Sequence, residues 1–283
     1  MVKEKYLVRP AIISDRPKVS KLIHFEPFVH RHLDWVNPLD WIGTPPFLVV
    51  EEQKNVVAAL GCPPDPPQVA WIRLFVCTTL LPVSEGWSFL WEATKKFLES
   101  QGKFIVSAIT LQTWFRELLL KEGFHSDQEV VMLLRDVQDS LEEKSSSEVI
   151  IRQMRYKDLP IVVEIDNNAF DELWRNSLPS LKYAFSQASW ATVAELNGKF
   201  IGFQISTRNP LGGHLARLGV LPENQHQGVG YALVADLIHR MKLQGLNHLT
   251  VNTQDNNANS LSLYRKLGFN ETGERYPVLT FNI

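Results

Sequence analysis

The chain has 283 residues, 45% of them hydrophobic and 21% charged, with a formal net charge of −2. That length supports two domains of ordinary size, each with its own core, in a composition typical of globular proteins. The lack of a basic excess argues against a nucleic-acid partner held through phosphates, and two cysteines, Cys62 and Cys77, are too few for a disulfide framework.

The N-terminus, M-V-K-E-K-Y-L-V-R-P, carries charges and no apolar h-region, so it does not read as a secretory signal. No uncharged apolar run approaches the ~20 residues of a membrane-spanning helix, and a cytoplasmic protein without a membrane partner is expected. His24, His30 and His32 form H-x-x-x-x-x-H-x-H. No cysteine or paired-carboxylate motif completes a ligand set, so no metal is expected and the three read as surface histidines. The aromatics Trp35, Trp41, Trp71, Trp87, Trp91 and Trp114 read as core and interface. Residues 136–148, D-V-Q-D-S-L-E-E-K-S-S-S-E, are polar and serine-rich, with Glu142-Glu143-Lys144 as a solvated charge run. The segment 139–148 is therefore taken as a linker between domains spanning 1–138 and 149–283.

Beyond the linker, strand propensity marks 149–155 and helical periodicity marks 158–170 and 178–187. Strands at 190–196 and 200–208 flank Asn197-Gly198, a strong hairpin dipeptide. A strand at 215–220 precedes a helix over 230–243 whose Leu233, Leu237, Ile238 and Met241 share one face, with Gly245 as its stop. A strand at 249–253, a helix at 258–267 and further strands to Ile283 complete the pattern, an α/β arrangement of mixed strands with helices across them.

The two halves repeat each other. V-R-P-A-I-I-S-D near the start answers I-R-Q-M-R-Y-K-D after the linker, and F-L-V-V-E-E-Q-K-N-V-V-A-A-L answers W-A-T-V-A-E-L-N-G-K-F-I-G-F. Gln101-Gly102 answers Gln244-Gly245 and Gly123-Phe124 answers Gly268-Phe269, so the offset stays between 143 and 145 residues. Drift that small marks an internal duplication of one fold.

Only the second copy carries a recognisable site. Gln225-x-x-Gly228-x-Gly230 stands where strand passes into helix, and a helix N-terminus offers free N–H donors to a phosphate. No Gly-Lys-Ser/Thr follows and no G-x-G-x-x-G is present, which excludes a Walker loop and the dinucleotide fingerprint. Asn257 opens the next helix as a good N-cap, and Tyr264 lies within it. No G-x-S-x-G elbow supports a serine hydrolase.

In order and spacing, Val220-x-Pro222, Gln225-x-x-Gly228-x-Gly230, Asn257 and Leu263-Tyr264-x-Lys266-x-Gly268-Phe269 resemble the GNAT superfamily of acyl-CoA-dependent N-acyltransferases over roughly residues 149–283. Within it they look most similar to the branch that acetylates protein N-termini, such as the ribosomal-protein-alanine acetyltransferases. The resemblance implies two tandem GNAT-like α/β domains, each a mixed, mostly antiparallel sheet flanked by helices. It implies acetyl-CoA as acyl donor, no metal, and direct attack by a primary amine on a small molecule or a protein N-terminus. Leu218, Gly219 and Val220 would then expose backbone to the pantetheine and acyl group. Gln225, His226, Gln227, Gly228, Val229 and Gly230 would hold the pyrophosphate, and Asn257 would contact the cofactor. Tyr264 would lie near the thioester sulfur, where a phenol can protonate the departing thiolate.

One departure stands out. Where that branch carries a glutamate five residues before the motif asparagine, this chain has Asn252, and an amide is no base. Glu195, His214 and Glu223 are candidate substitutes that spacing does not separate. Neutralising a lysine amine of pKa ~10.4 at pH 7 costs roughly 4.6 kcal/mol and an α-amine of ~7.8 about 1 kcal/mol, so the missing base leans toward a low-pKa amine. Trp174 and Tyr276 are candidates for the acceptor pocket. The alternative reading is a CoA-binding sensor or interaction protein with little turnover.

The first copy has L-L-P-V-S-E-G where the phosphate loop should be, with Glu85 repelling an anion, and Leu119 at the position of Tyr264. It is expected to be a GNAT-like domain without cofactor binding that shapes the acceptor cleft, braces the active half or forms a homodimer.

Overall fold

The computed structural model describes residues 5–141, 148–210 and 212–283. Its first elements are β1 (Leu7–Pro10), α1 (Arg16–Phe25), β2 (Phe28–Arg31), β3 (Phe47–Glu52), β4 (Asn55–Gly61), β5 (Val69–Trp71) and β6 (Leu74–Cys77). There follow α2 (Val83–Gln101), β7 (Ile105–Ile109), α3 (Thr113–Lys121) and β8 (His125–Asp136). The second copy supplies β9 (Ile150–Gln153), α4 (Leu159–Ala169), α5 (Leu178–Gln187), β10 (Trp190–Leu196), β11 (Lys199–Asn209) and β12 (Gly212–Val220). It ends with α6 (Val229–Leu243), β13 (His248–Gln254), α7 (Ala258–Lys266) and β14 (Asn270–Asn282). Of the expected linker, residues 142–147, including Glu142-Glu143-Lys144, lie outside the described residues.

The duplication extends to side-chain geometry. In the first copy Arg9 donates from Nε to Glu51 at 2.9 Å and from Nη1 to Asp15 at 2.7 Å. In the second, Arg152 donates from Nε to Glu195 at 2.7 Å and from Nη1 to Asp158 at 2.8 Å. Each aspartate also accepts from the backbone N–H three residues earlier, Ile12 or Arg155, and so fixes the turn that leads into α1 or α4. Both helices carry proline in their first turn, where its missing N–H costs nothing. The β3–β4 and β10–β11 hairpins share a two-residue left-handed turn, Gln53-Lys54 (φ 48° and 71°) and Asn197-Gly198 (φ 51° and 75°). Both have a register shift at the same place, between Val50 and Glu51 and between Ala194 and Glu195. The asparagine-glycine turn was legible in the sequence because those residues tolerate positive φ; Gln53-Lys54 was not.

The chain forms two compact units, and their limits differ from those of the two sequence copies. The first unit comprises residues up to Asp127 together with Pro277–Ile283, the second Gln128–Tyr276. The last strand of each copy is thus exchanged. Val130–Asp136 of β8 pairs antiparallel with β13, and Val278–Asn282 of β14 pairs antiparallel with β7. Exchanging like strands preserves every ladder, so it costs little.

In the first unit one sheet runs β1–β3–β4–β6–β2, and β7 lies between β5 and the end of β14. Its core includes Trp87, Trp91, Phe75, Phe115, Leu119 and Phe124, with Phe281 of the exchanged strand set edge-on to Trp91 at 5.4 Å. Trp71, Trp87 and Trp91 are core residues, as the sequence reading has it. The reading of the histidines needs correction. His24 is exposed, but His30 is buried, stacked on Phe115 at 4.1 Å and donating from Nε2 to the Ile72 carbonyl at 3.1 Å. Alternation along β2 turns His30 inward, a period-two signal too short to separate from background.

In the second unit the strand order is β14–β8–β13–β12–β11–β10–β9. Val234, Leu237, Ile238 and Met241 of α6 and Leu261, Tyr264 and Leu267 of the α7 region pack on Leu215, Leu249 and Val251, while Leu233 packs with Ala194, Ile201 and Val229. Helix α4 packs on β11 and β12, and its Asp166 marks the other face of the sheet through an ion pair with Arg217. Among the described residues, no helix is long and apolar enough to cross a membrane.

Candidate active site

The site begins where two parallel strands part. Strands β12 and β13 share three rungs, ending at Leu215↔Val251, while β12 continues to Val220 and β13 to Gln254. The edge of β12 that faces β13 is therefore left open over Leu218, Gly219 and Val220. A bulge prepares the parting. Ile205 pairs with Arg217 and Ser206 with Leu215, so Ala216 is the extra residue.

The bulge aims Arg217 at α4. Its Nε donates to Asp166 Oδ2 at 2.7 Å, and Nη2 donates to Asp166 Oδ1 at 2.9 Å and to the Trp174 carbonyl at 2.6 Å. The Phe170 ring centroid lies 3.4 Å from the guanidinium carbon. Asp166 is fully buried and also accepts from the Asn176 N–H at 2.8 Å. One ion pair thus fastens the segment 170–176 beside the parting strands. Sequence reading missed both partners, although each leaves a signal. Asp166 follows Val162 and Ile165 on a buried helix face, and Arg217 interrupts the apolar run Leu215–Val220.

Beyond Val220, a short 3-10 turn at Pro222–Asn224 leads into the loop that precedes α6. Gln225 Nε2 donates to the Val220 carbonyl at 3.1 Å, and Gln227 Nε2 donates to the Glu223 carbonyl at 2.9 Å. His226 (φ 60°) and Gly228 (φ 84°) are left-handed, and Gly228 is the N-cap of α6. A Cβ on Gly228 would meet nothing within 4 Å, so the space over the helix N-terminus is open. A Cβ on Gly230 would stand 3.1 Å from Leu263, so this glycine lets α6 approach α7. The N–H groups of Val229 and Gly230 lie in the first turn, where helix geometry leaves donors free and the dipole is positive.

Asn257 caps α7, its Oδ1 accepting from the Ser260 N–H at 3.0 Å. Seven residues on, Tyr264 is buried against Phe269, with ring centroids 5.5 Å apart. Burial pushes its phenol well above the ordinary value, opposed by the nearby Arg217 cation. The phenol therefore stays protonated through neutral pH.

The structure separates the candidate bases. Glu195 is held by Arg152, and the first copy repeats that pairing with Glu51 and Arg9, which makes it a feature of the fold. Glu223 is exposed on the 3-10 turn. His214 Nδ1 lies 2.9 Å from Thr250 Oγ1, and burial lowers the ring's pKa. Asn252 stands one residue beyond the last β12–β13 rung, with its Oδ1 buried and without a hydrogen-bond partner among the described residues. Trp174 contributes its carbonyl to Arg217, and the Tyr276 hydroxyl donates to Glu274 at 2.7 Å.

The corresponding place in the first copy has no such cap, and its Gly86 is the counterpart of the close-packed Gly230. Helix α2 already includes Ser84 and Glu85, with no left-handed glycine before it. A Cβ on Gly86 would meet Cys77 Sγ at 2.8 Å and Leu81 at 3.2 Å.

Comparison with known proteins identifies the family and the fold. Residues 159–269 match the acetyltransferase (GNAT) family. The ribosomal protein bS18-alanine N-acetyltransferase of Escherichia coli strain K12 is 30% identical over 132 residues, 45% of this chain and 86% of that protein. At the level of fold, a tandem GNAT protein from the clavulanic acid biosynthesis pathway superposes with a TM-score of 0.66 at 14% identity, covering 98% of both chains. A GCN5-related N-acetyltransferase from Sphaerobacter thermophilus gives 0.64 at 13% identity, covering 100% of this chain and 97% of that one. The fold of both copies is that of tandem GNAT proteins, and the chain belongs to the GNAT family of acetyl-CoA-dependent acetyltransferases.

Proposed function

We propose that the second unit transfers an acetyl group from acetyl-CoA directly to a primary amine, using a single cofactor site. The observation that carries this reading is the left-handed Gly228 cap with open space above it, next to the parting of β12 and β13. The residues fit the cofactor. Gln225, His226, Gln227, Gly228, Val229 and Gly230 would hold the pyrophosphate on N–H donors, and Asn257 would lie beside it. Leu218, Gly219 and Val220 would offer an unpaired backbone edge to the pantetheine and acyl arm. When bound, acetyl-CoA supplies an activated acyl group as a thioester.

The protein's own residues do the rest. Donors fixed along the open edge of β12 orient the acyl carbonyl without reorganisation. Holding an amine against it replaces a bimolecular encounter, worth several of the ~7–11 kcal/mol that full preorganisation reaches. Tyr264, kept protonated by burial, holds a proton for the leaving thiolate. The first unit has no equivalent loop and acts as a partner domain.

The test is direct. Acetyl-CoA raises the melting temperature of the full chain, Gly228→Glu abolishes that rise, and free thiol appears when primary amines are added. No rise with the wild type sinks the cofactor assignment. A rise without thiol release from any amine favours the sensor reading, which rests on Asn252 replacing a base.

A further inference from the structure

The acceptor side of the site can be read from the face of β12 and β13 that turns away from α6 and α7. Leu215, Leu249 and Val251 pack with those helices, so strand alternation places His214, Thr250 and Asn252 on the opposite face. Arg217 joins them there through its ion pair with Asp166 of α4.

Most of the polar groups on this face are spent. Arg217 gives its donors to Asp166 and Trp174. His214 Nδ1 meets Thr250 Oγ1, which in turn donates to the Gly213 carbonyl at 3.3 Å. Asn252 Oδ1 has no partner among the described residues. A buried acceptor left unpaired is costly, and native structures rarely keep one without a use. A bound amine is one source of the missing donor. Helices α6 and α7 cover the opposite face of these strands, so the acceptor substrate is the ligand best placed to bring that donor.

We infer that Asn252 Oδ1 accepts a hydrogen bond from the substrate amine and thereby selects weakly basic primary amines over lysine-type amines. This rests on the acetyl-transfer reading of the same site. A carboxylate at this position would attract an ammonium ion and take its proton. An amide oxygen does neither, and the neighbouring Arg217 cation is already balanced by Asp166. The amine that binds productively is the one that arrives neutral. At pH 7 an amine of pKa ~7.8 is neutral in about one molecule in seven, and one of pKa ~10.4 in about one in 2,500. The reaction balances without a protein base. The neutral nitrogen forms the C–N bond, the C–S bond breaks, Tyr264 protonates the thiolate, and the proton lost by nitrogen returns through solvent to Tyr264.

The experiment uses the full chain at pH 7 and follows free thiol release with alaninamide and with Nα-acetyl-lysinamide. Alaninamide is expected to have the higher kcat/KM by about 100-fold or more. Asn252→Ala is expected to lower that value at least tenfold while keeping the thermal shift with acetyl-CoA. Asn252→Glu, which adds a carboxylate, is expected to narrow the preference toward the lysine amine. Asn252→Asp keeps the side-chain shape and serves as the folded comparison should the alanine variant melt early; its preference should narrow as well. Equal use of the two amines by the wild type overturns the inference, as does an unchanged rate in Asn252→Ala. If Asn252→Ala loses the acetyl-CoA shift in parallel with activity, the oxygen serves the cofactor and the inference fails. An intact shift with no turnover of alaninamide overturns the substrate class alone. No shift in the wild type overturns the proposed function and this inference with it.

Discussion

Arg135, on the last strand of the first sequence copy, donates to the carbonyl of Leu267 at the end of the helix that carries Tyr264. Its other terminal nitrogen donates to the Asp139 carbonyl at 2.9 Å, and a Cβ on Gly268 would collide with the guanidinium. A cation at a helix C-terminus satisfies orphan carbonyls and opposes the dipole. The second unit therefore depends on a residue that belongs, by sequence, to the other copy.

Replacing Arg135 by methionine is expected to cost about 2–3 kcal/mol, because charged hydrogen bonds to buried carbonyls are lost. Gly268→Ala is expected to destabilise the chain too, since its φ of 80° and the guanidinium leave no room for a side chain. Urea unfolding of both variants checks this, and an unchanged midpoint for either contradicts the proposed cap.

The exchange of strands predicts the outcome of cutting the chain. Residues 149–283 alone lack β8 and expose the edge of β13, so that fragment is expected to aggregate or remain unfolded. A fragment of residues 125–283 regains the strand and is expected to be more soluble. Sedimentation and hydrogen exchange on the two fragments would show it.

Asp166→Ala leaves Arg217 buried without its counter-charge and is expected to cost about 3–5 kcal/mol. Pairing Asp166→Leu with Arg217→Met removes both charges and is expected to cost less than either single change. Chemical denaturation of the three variants measures the difference. Additive losses would mean that the two residues act separately.

Tyr264→Phe is expected to lower kcat by about 100-fold if the phenol is the proton donor, and a rate within twofold of wild type removes that role. Stability supplies an independent readout. Because burial raises the phenol's pKa above its ordinary 10.0, the protonated form stabilises the folded state below pH 10. That contribution is lost as pH rises further, by up to about 1.4 kcal/mol per pH unit until the folded phenol ionises. Unfolding of the phenylalanine variant between pH 10 and 11 is expected to show a shallower decline.

His30 predicts an acid limit. Burial lowers its pKa from 6.5 to about 4, so the folded state favours the neutral ring. The resulting stability is full above pH 6.5 and is lost as pH falls toward 4, to about 3 kcal/mol in all. His32, stacked on Trp71 at 4.7 Å and also held neutral by burial, acts in the same direction. His30→Phe is expected to flatten the acid side of the stability curve measured by thermal melting.

Local order determined much of this protein before any folding. The constant offset between Gln101 and Gln244 and between Gly123 and Gly268 revealed the duplication. The helix α5, the strand β10 and the Asn197-Gly198 turn followed from periodicity and from which residues accept positive φ. The loop around Gly228, Asn257 and Tyr264 was visible for the same reason: each lies within a few residues of the element it begins or occupies.

What tertiary structure decided were the partners. Asp166 and Arg217 are 51 residues apart and Arg135 and Leu267 are 132 apart, so packing brings them together and no local preference encodes it. The same holds for Glu195, which Arg152 engages across a strand pair. It also holds for the exchange of β8 and β14. The sequence alone did not say which sheet each strand would join.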